Sequence, residues 1–296
     1  MTYEMTLPVR SLHVVEVRHP TPRLARITFG GEGLEGLRLA GPDQQVKLYF
    51  PKPGQEAPVL PAPGDDFMSW YEAFNALPEE VRPWMRSYTI RRHDPERATV
   101  TVDFVLHGDG EGSEGPATAW ARQAEPGQRL AMFGPSAYFA KPVPLATTDW
   151  MLLTGDETAL PAITTILEAL PEGSRAVAYV EVADRAERQE FATRGEVTVH
   201  WLERAVPGRA PAAAGEVLVE AVRAASFPAG SVYAWLGGEA GAVRALRRHL
   251  VDDRGIDKKS LHFSGYWRLR LTQDDAPTEA DLADAQELLA QAEAGE

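Results

Sequence analysis

The hexapeptide Arg86-Ser87-Tyr88-Thr89-Ile90-Arg91 decides how the first half of the chain is interpreted. Its pattern predicts a β-strand. Because successive side chains of a strand point to opposite faces, Arg86 and Tyr88 are expected to share one face and Thr89 to lie on the other. The hexapeptide therefore predicts a strand that places a cation, an aromatic ring and a hydroxyl close together.

Strand-like runs separated by turn signals surround the hexapeptide. Together the runs are Ser11–Arg18, Leu24–Phe29, Gln45–Phe50, Arg86–Arg92, Ala98–Leu106 and Arg129–Phe133. Six short strands of this kind favour a small antiparallel β-barrel. A Pro/Gly-rich excursion at Pro51–Asp65 and a predicted helix at Asp66–Leu77 are expected to form surface decoration or a lid.

The pattern changes after Lys141–Thr148, where apolar runs begin to alternate with helical segments. The strand-like runs are Trp150–Thr154, Ala176–Val182, Val197–Leu202, Ser231–Leu236 and Leu261–Tyr266, and the helical segments are Leu160–Ala169, Gly215–Ala225 and Ala240–Asp252. Strands that are apolar throughout are typical of a parallel sheet buried on both faces. Such a doubly wound domain binds its ligand at the carboxyl ends of the strands.

The chain is therefore predicted to be a two-domain β plus α/β protein. Residues 1–143 are expected to form a six-stranded antiparallel β-barrel, residues 144–271 a doubly wound parallel-sheet domain, and residues 272–296 a linker and C-terminal helix. The helix, Thr278–Ala294, begins with Thr278 and Asp281 in a capping-box-like arrangement. It is expected either to dock on the second domain or to gate the active site.

Composition excludes several classes of protein. The formal net charge of −13 argues against a nucleic-acid partner, and the absence of cysteine excludes disulfides and cysteine-held iron–sulfur clusters. No apolar run reaches the ~18 residues of a membrane helix, so a cytoplasmic protein without membrane insertion is expected. The histidines show no paired spacing for a metal, and none is predicted to hold one. We expect a monomer.

Two elements of the barrel half suit a flavin nucleotide. Arg86 can pair with phosphate, the Tyr88 ring can pack along the isoalloxazine or ribityl chain, and Thr89 can reach the edge of the flavin ring. Downstream, Gly115-Pro116-Ala117 begins a predicted helix whose free N–H groups could bind a pyrophosphate. Each element taken alone is equally consistent with an ordinary strand or an ordinary helix start.

The second half has two glycine turns that follow predicted strands. Gly155-Asp156-Glu157-Thr158-Ala159 follows one strand and could face a ribose or the nicotinamide, while Gly237-Gly238-Glu239 would let a cofactor approach the backbone. Glu181, with Arg185 and Arg188 after it, could bind an adenosine ribose or its 2′-phosphate. A plain turn and a solvated helix face are the respective alternatives.

Taken in order, these motifs resemble the siderophore-interacting proteins, a branch of the ferredoxin–NADP reductase-like flavoproteins. The resemblance runs from about Arg10 to Arg268 and is strongest at Arg86–Arg91, Asp103–Gly108, Gly115–Ala117 with Trp120, Gly155–Pro161, Gly237–Glu239 and Gly265–Arg268. It implies a barrel that binds FAD and a second domain that binds NADPH or NADH, with ferredoxin as an alternative donor.

The resemblance also implies the residues of the site. Thr89 and Tyr88 are expected to be catalytic. Cofactor contacts are expected from Arg86, Tyr88, Thr89, Asp103, His107, Gly115, Pro116, Ala117, Trp120, Asp156, Glu157, Thr158, Ala159, Gly238, Glu239 and Trp267.

The implied activity is reduction of ferric siderophores. Because the protein is acidic overall, an anionic chelate is expected to need a local basic pocket near the flavin. That pocket is predicted to contain Lys47, Arg91, Arg247 and Lys259, with Arg248 and Lys258 nearby. Two alternatives remain open at this point. One is a general NAD(P)H–flavin or ferredoxin oxidoreductase, and the other is a carrier that binds ferric siderophore without turnover.

Overall fold

The computed structural model describes residues 9–62, 67–107, 114–135, 143–208, 210–269, 271 and 275–293. Residues 63–65 of the predicted excursion, residue 66 of the predicted helix that follows, residues 108–113, residues 141 and 142, and Ala294 at the end of the last predicted helix lie outside these ranges. Among the described residues, no helix is both long enough and apolar enough to cross a bilayer.

The first half is a closed antiparallel barrel in the strand order β1-β2-β5-β4-β3-β6. The strands are β1 (Val9–Thr21), β2 (Leu24–Gly30), β3 (Gln45–Phe50), β4 (Trp84–Asp94), β5 (Thr99–Val105) and β6 (Arg129–Phe133). Two helices accompany them, α1 (Phe67–Asn75) and α2 (Pro116–Arg122). The predicted six-stranded barrel is confirmed.

Alternation along β3 explains how the barrel is filled. Val46, Leu48 and Phe50 are buried in the barrel core, while Tyr49 faces outward against Trp70 and Phe74 of α1. β3 is therefore apolar on both faces over its second half, because α1 covers the outer face that solvent would otherwise meet.

The second half is a parallel sheet in the order β11-β10-β7-β8-β9. Its elements are β7 (Trp150–Gly155), α3 (Leu160–Ala169), β8 (Arg175–Val182), β9 (Glu196–Glu203), α4 (Glu216–Ala224), β10 (Val232–Glu239), α5 (Ala240–Arg248) and β11 (Leu261–Trp267). All residues of β7 are buried, as expected for the central strand of a sheet covered on both faces. The predicted doubly wound domain is confirmed.

Chain order places a switch point in this sheet. From β7 the chain moves outward to β8 and β9, then returns to the other side of β7 for β10 and β11. Helices that follow β7 and β10 consequently leave in opposite directions, which opens a crevice between the carboxyl ends of these two strands.

The C-terminal helix α6 (Glu279–Glu293) docks on the second domain through its carboxylates. Asp281 pairs with Arg244 and Arg268, Asp284 with Arg244, and Glu287 with Arg247. Thr278 and Asp281 exchange hydrogen bonds as the capping-box pattern predicts. Docking by ion pairs agrees with the first of the two predicted roles for this helix.

Glu181 corrects one prediction. It is fully buried at the end of β8, and its carboxylate accepts hydrogen bonds from the backbone N–H of Gly215 (2.8 Å) and Leu218 (3.1 Å) and from Arg204 (3.1 Å). The carboxylate therefore stabilises the start of α4 instead of facing a ribose, because it has no route to solvent. Arg188 is exposed and pairs with Glu203.

Replacing Glu181 with alanine should lower the free energy of unfolding by about 3 kcal/mol, because two N–H groups and Arg204 would lose a buried acceptor. Chemical denaturation followed by circular dichroism measures this change in the free energy of unfolding. The control Glu196→Ala, which removes an exposed partner 3.9 Å from Arg175, should change stability by less than about 0.5 kcal/mol. Equal effects of the two substitutions would contradict this role of Glu181.

Candidate active site

A cleft lies where the outer face of β3 and β4 meets the end of β11. We call it the interdomain cleft and define it by Asp43, Gln45, Lys47 and Thr89 of the barrel domain and Tyr266 of the second domain. Gln45 and Lys47 are exposed, Asp43 and Tyr266 are half-buried, and Thr89 is buried. Polar groups from both domains therefore meet here, and those of Gln45 and Lys47 are exposed to solvent.

Strand register shows which side chains of the hexapeptide face the cleft. Tyr88 lies opposite Val46 and Arg86 opposite Leu48, both buried residues of the barrel core, whereas Thr89 lies opposite Gln45 on the outer face. The predicted alternation of this strand is confirmed. Thr89 forms a hydrogen bond with Tyr266, so the hydroxyl reaches the domain boundary.

Tyr88 packs within an aromatic group at the edge of the barrel core. Its ring centroid lies 4.5 Å from that of Phe104 and 6.3 Å from that of Phe50. Burial raises the pKa of the Tyr88 hydroxyl well above its usual value, so Tyr88 is neutral at physiological pH. Its chemical contribution is therefore a rigid ring and not a charge.

α2 packs against β3, β4 and β5 and begins without a side-chain cap. Gly115 occupies the position before Pro116, and no side chain accepts from the first turn of the helix. The ring centroid of Trp120, on the same helix, lies 5.4 Å from that of Phe50 and 6.0 Å from that of Phe104. The open helix start and the half-buried Arg86 on β4 thus belong to one packed unit with two kinds of anion-binding group.

Asp103 forms a two-bond ion pair with Arg26. Its buried carboxylate accepts from Nε and Nη2 of Arg26, each at 2.7 Å. Because Arg26 occupies both oxygens, Asp103 holds that arginine in place, and the predicted cofactor contact of Asp103 stays a prediction. Arg26 in turn extends toward Gln189 of the second domain, at 3.4 Å.

Close backbone approach shapes the crevice between β7 and β10. A Cβ added to Gly155 would lie 2.4 Å from the Cβ of Ala159 and 2.8 Å from the carbonyl of Gly237. Gly238 has φ +128°, and a Cβ there would lie 2.7 Å from Asp156 Oδ2. Only glycine fits these positions, so the crevice depends on both predicted glycine turns.

Asp156 ties together the strand ends that form the crevice. Its Oδ1 accepts from the backbone and hydroxyl of Thr158, while its Oδ2 accepts from the backbone N–H of Glu239 (2.9 Å) and from Nε1 of Trp267 (2.8 Å). Burial raises the pKa of this carboxyl. Asp156 therefore organises the crevice from within, and Thr158, Glu239 and Trp267 surround it.

Trp267 also connects the crevice to the barrel. Its ring lies 6.1 Å from that of His107, the exposed residue that follows β5. The predicted flavin-side residue His107, the predicted nucleotide-side residue Asp156 and the predicted cofactor contact Trp267 are thus brought together. Glu239 additionally accepts from Ala242 at the start of α5, which fixes its side chain beside the crevice.

Glu157 has a partner that the motifs did not indicate. Arg204, just after β9, donates to both oxygens of Glu157 at 2.6 and 2.9 Å and also pairs with Glu181. Burial works against the charge of Arg204, but the two carboxylates outweigh it and raise its pKa. The positive charge of Arg204 consequently balances the negative charge of Glu157.

The predicted basic pocket is divided by the fold. Lys47 lies in the interdomain cleft beside Ser87, and Arg91, on β4, forms a two-bond pair with Glu168 of α3. Arg247 stacks on Phe263 and pairs with Glu287, and Lys259 precedes β11. Because α5 returns antiparallel to β10, these last two residues lie toward the amino-terminal edge of the sheet, away from the crevice at the carboxyl ends of the strands. The prediction of one pocket near the flavin is corrected for Arg247 and Lys259.

Sequence reasoning missed Asp43. Its carboxylate accepts from Nε1 of Trp235 (2.8 Å) and from the hydroxyl of Tyr266 (3.2 Å), and its backbone N–H donates to Thr165 (3.1 Å). In the sequence Asp43 follows Gly41-Pro42, which is typical of a surface turn. The sequence signal for this turn is the residue type itself, because aspartate tolerates the φ of +60° that Asp43 adopts.

Comparison with known proteins agrees with this geometry. A family model described as "Siderophore-interacting FAD-binding domain" matches residues 13–139, and one described as "Siderophore-interacting protein" matches residues 148–270. The chain belongs to the siderophore-interacting protein family. The two matched segments coincide with the barrel and with the parallel-sheet domain, so the predicted family is confirmed.

Relatives and solved structures extend over most of the chain. The crystal structure of a siderophore utilization protein from T. fusca is 36% identical, with a TM-score of 0.74, and the match covers 92% of this chain and 97% of that one. The NADPH-dependent ferric-chelate reductase of Escherichia coli is 30% identical over 89% of this chain and 94% of its own length. Ferric vibriobactin reductase ViuB of Vibrio cholerae is 29% identical over 88% of this chain and 89% of its own length.

Asp156→Asn should lower the free energy of unfolding by about 2 kcal/mol. Each oxygen of Asp156 accepts from two donors. The amide of asparagine would turn its own N–H₂ group toward one pair of these donors, which would then lose their acceptor. Urea denaturation measures the change, with the exposed Asp252→Asn as control. Unaltered stability of Asp156→Asn would show that the crevice does not depend on this carboxylate.

Proposed function

We propose that this protein is a ferric-siderophore reductase, which passes electrons from a nicotinamide nucleotide through FAD to Fe(III) in a chelate. The observation that supports it most directly is the interdomain cleft. There Thr89 of the FAD-binding barrel meets Tyr266 of the second domain, next to the crevice at the ends of β7 and β10. Two cofactors bound at these places would lie against each other.

The chain is an FAD-dependent oxidoreductase, and the predictions of FAD and a nicotinamide nucleotide as its cofactors are confirmed. FAD, when bound, accepts two electrons together and can deliver them one at a time, as reduction of single ferric ions requires. The relatives are named for the reduction of ferric vibriobactin and of ferric chelates, and we propose the same class of substrate for this chain.

The described residues fit FAD by the chemistry of their donor groups. Arg86 and the uncapped start of α2 at Gly115, Pro116 and Ala117 would bind the diphosphate, because both offer donors to an anion. Tyr88 and Trp120 would supply aromatic contact surface. Thr89 would hold the edge of the flavin ring at the interdomain cleft, with His107 and Trp267 farther along the same boundary.

The crevice of the second domain would take the nicotinamide nucleotide. Gly238 lets a ligand approach the backbone, and Thr158, Ala159 and Glu239 are held around it by the hydrogen bonds of Asp156. Glu157 is paired with Arg204, which keeps its carboxylate from repelling a nucleotide phosphate. The preference among NADPH, NADH and ferredoxin stays a prediction, as do the monomeric state and the cytoplasmic location.

The iron is the substrate and needs no protein ligand in this scheme. Lys47 is the predicted substrate cation that lies in the interdomain cleft, so an anionic ferric chelate would approach there. Arg91 stays nearby on β4 but is paired with Glu168. Oxygen-rich chelators hold Fe(II) less tightly than Fe(III), so reduction would release the iron.

The purified protein should be yellow, anaerobic NADPH or NADH should bleach it, and a ferric siderophore should restore the colour. Arg86→Ala should weaken FAD binding at least about tenfold, since it removes a charged partner of the diphosphate. FAD titration and visible spectra measure both. Arg97→Ala, at an exposed arginine of the same barrel, is the control. A colourless protein that cannot be reconstituted with FAD would favour the carrier alternative instead.

Lys47→Glu should raise the KM for an anionic ferric chelate about tenfold at low salt, and the difference from the unmodified protein should shrink at high salt. Initial rates at several ionic strengths measure the effect. Lys259→Glu is a matched control, because this lysine lies at the far edge of the sheet. If both substitutions raise KM equally, the local role of Lys47 is excluded and only net charge matters.

A further inference from the structure

The function proposed above leaves one ionisable group of the interdomain cleft without a role. Asp43 directs its carboxylate at Trp235 and Tyr266 of the second domain, and both are uncharged donors. No arginine or lysine pairs with Asp43 within the described part of the chain. Partial burial of a carboxylate at a domain boundary without a cation is energetically costly.

The hydrogen bonds around Asp43 have a direction. An ionised carboxylate can only accept, so the hydroxyl of Tyr266 must donate to Asp43, at 3.2 Å. Having used its single hydrogen, Tyr266 must accept from its other partners, which are Gln45 Nε2 at 3.4 Å and Thr89. The hydroxyl of Thr89 therefore donates to Tyr266, and the sequence of donors runs from Thr89 through Tyr266 to Asp43.

We propose that Thr89, Tyr266 and Asp43 form a proton relay that receives the proton released when reduced FAD is reoxidised by the ferric chelate. The inference rests on the proposed function, because it needs FAD with its ring edge at Thr89. The hydroxyl oxygen of Thr89 still has a lone pair with which to accept. The donor order then leads away from the cofactor and ends at a carboxylate.

The proton and electron balance is complete. One reduced FAD, present as the anion that carries one transferable ring proton, gives two electrons to two Fe(III) ions. It becomes oxidised FAD and releases that proton. Thr89 receives the proton and gives its own hydrogen to Tyr266, which gives its hydrogen to Asp43. One N–H bond of the flavin breaks and one O–H bond forms on Asp43. Thr89 and Tyr266 each gain one hydrogen and lose one, so both remain hydroxyls.

The electrostatic surroundings suit Asp43 to this task. Desolvation raises the pKa of Asp43 to about 7, although the hydrogen bonds from Trp235 and Tyr266 oppose the shift. An acceptor with such a pKa is ionised above neutrality and can still release the proton afterwards. Burial and the neighbouring Asp43 raise the pKa of Tyr266 well above its usual value, so Tyr266 passes protons without ionising.

Other titratable groups near Asp43 must be separated from it by experiment. Tyr233 lies on β10, and its pKa is raised to about 12 by burial and by Asp43. Lys47 lies on β3, and Arg91 of β4 is paired with Glu168 of α3. His262 of β11 stacks on Trp235 with 6.3 Å between ring centroids, so a substitution of His262 is a necessary control.

The test uses the FAD-loaded full chain, reduced photochemically so that no nicotinamide step is involved, and then mixed with a ferric siderophore. The reoxidation rate should rise about tenfold between pH 5.5 and 8.5 with an inflection near 7, because only ionised Asp43 accepts a proton. Asp43→Asn and Tyr266→Phe should both abolish the inflection and slow reoxidation at pH 8.5 about tenfold. Asparagine tolerates the φ of +60° at this position, so the loop is retained.

Two controls and one spectroscopic readout make the result specific. His262→Asn and Asp252→Asn should keep the inflection. In the protein without FAD, an infrared carboxyl band should titrate near pH 7 and be absent from Asp43→Asn. Because the folded pKa of Asp43 lies above its unfolded value, the free energy of unfolding should fall as pH rises from about 4 to about 7, and Asp43→Asn should lack this component.

The relay is overturned if Asp43→Asn keeps the inflection, or if His262→Asn removes it. Failure of the proposed function has a different signature, since the unmodified protein would then not bind FAD or would not be reoxidised by a ferric siderophore at any pH. A wild-type protein that turns over without a pH inflection near 7 refutes the relay while leaving the reductase intact.

Discussion

The hydrogen bonds of Asp43 with Trp235 and Tyr266 constrain how the two domains meet at the interdomain cleft. They join a turn of the barrel domain to β10 and β11, the strands beside the crevice. Arg91 with Glu168, and Arg26 with Gln189, add polar contacts along the same boundary. Because such contacts are directional, they hold Thr89 against Tyr266, and the cleft acquires a defined shape.

Much of the fold could be predicted because it depends on local patterns. The six strand-like runs and the uniformly apolar strands of the second half gave the barrel and the parallel sheet, and the period of two placed Thr89 on the face opposite Tyr88. The glycine turns at Gly155 and Gly238 were also recognisable, since each removes a side chain that the crevice could not accommodate. These features need only a few neighbouring residues to be specified.

Features that depend on distant partners could not be predicted. Asp43 and Trp235 are far apart in sequence, and nothing in a Gly-Pro-Asp turn indicates burial against an indole. Arg204 likewise acquires its importance from Glu157 and Glu181, which only the parallel sheet brings beside it. Arg247 and Lys259 were grouped with Lys47 by charge alone, but the antiparallel return of α5 carries them to the opposite edge of the sheet.

The central claim is that FAD bound to the barrel presents its ring edge to Thr89 in the interdomain cleft. A crystal structure of the FAD complex tests it most directly. The diphosphate is expected at Arg86 and the start of α2. The flavin ring is expected between Thr89 and the second domain, within hydrogen-bond distance of the Thr89 hydroxyl. A flavin ring bound away from Thr89 and Tyr266 would contradict the account, including the path by which electrons are proposed to reach the iron.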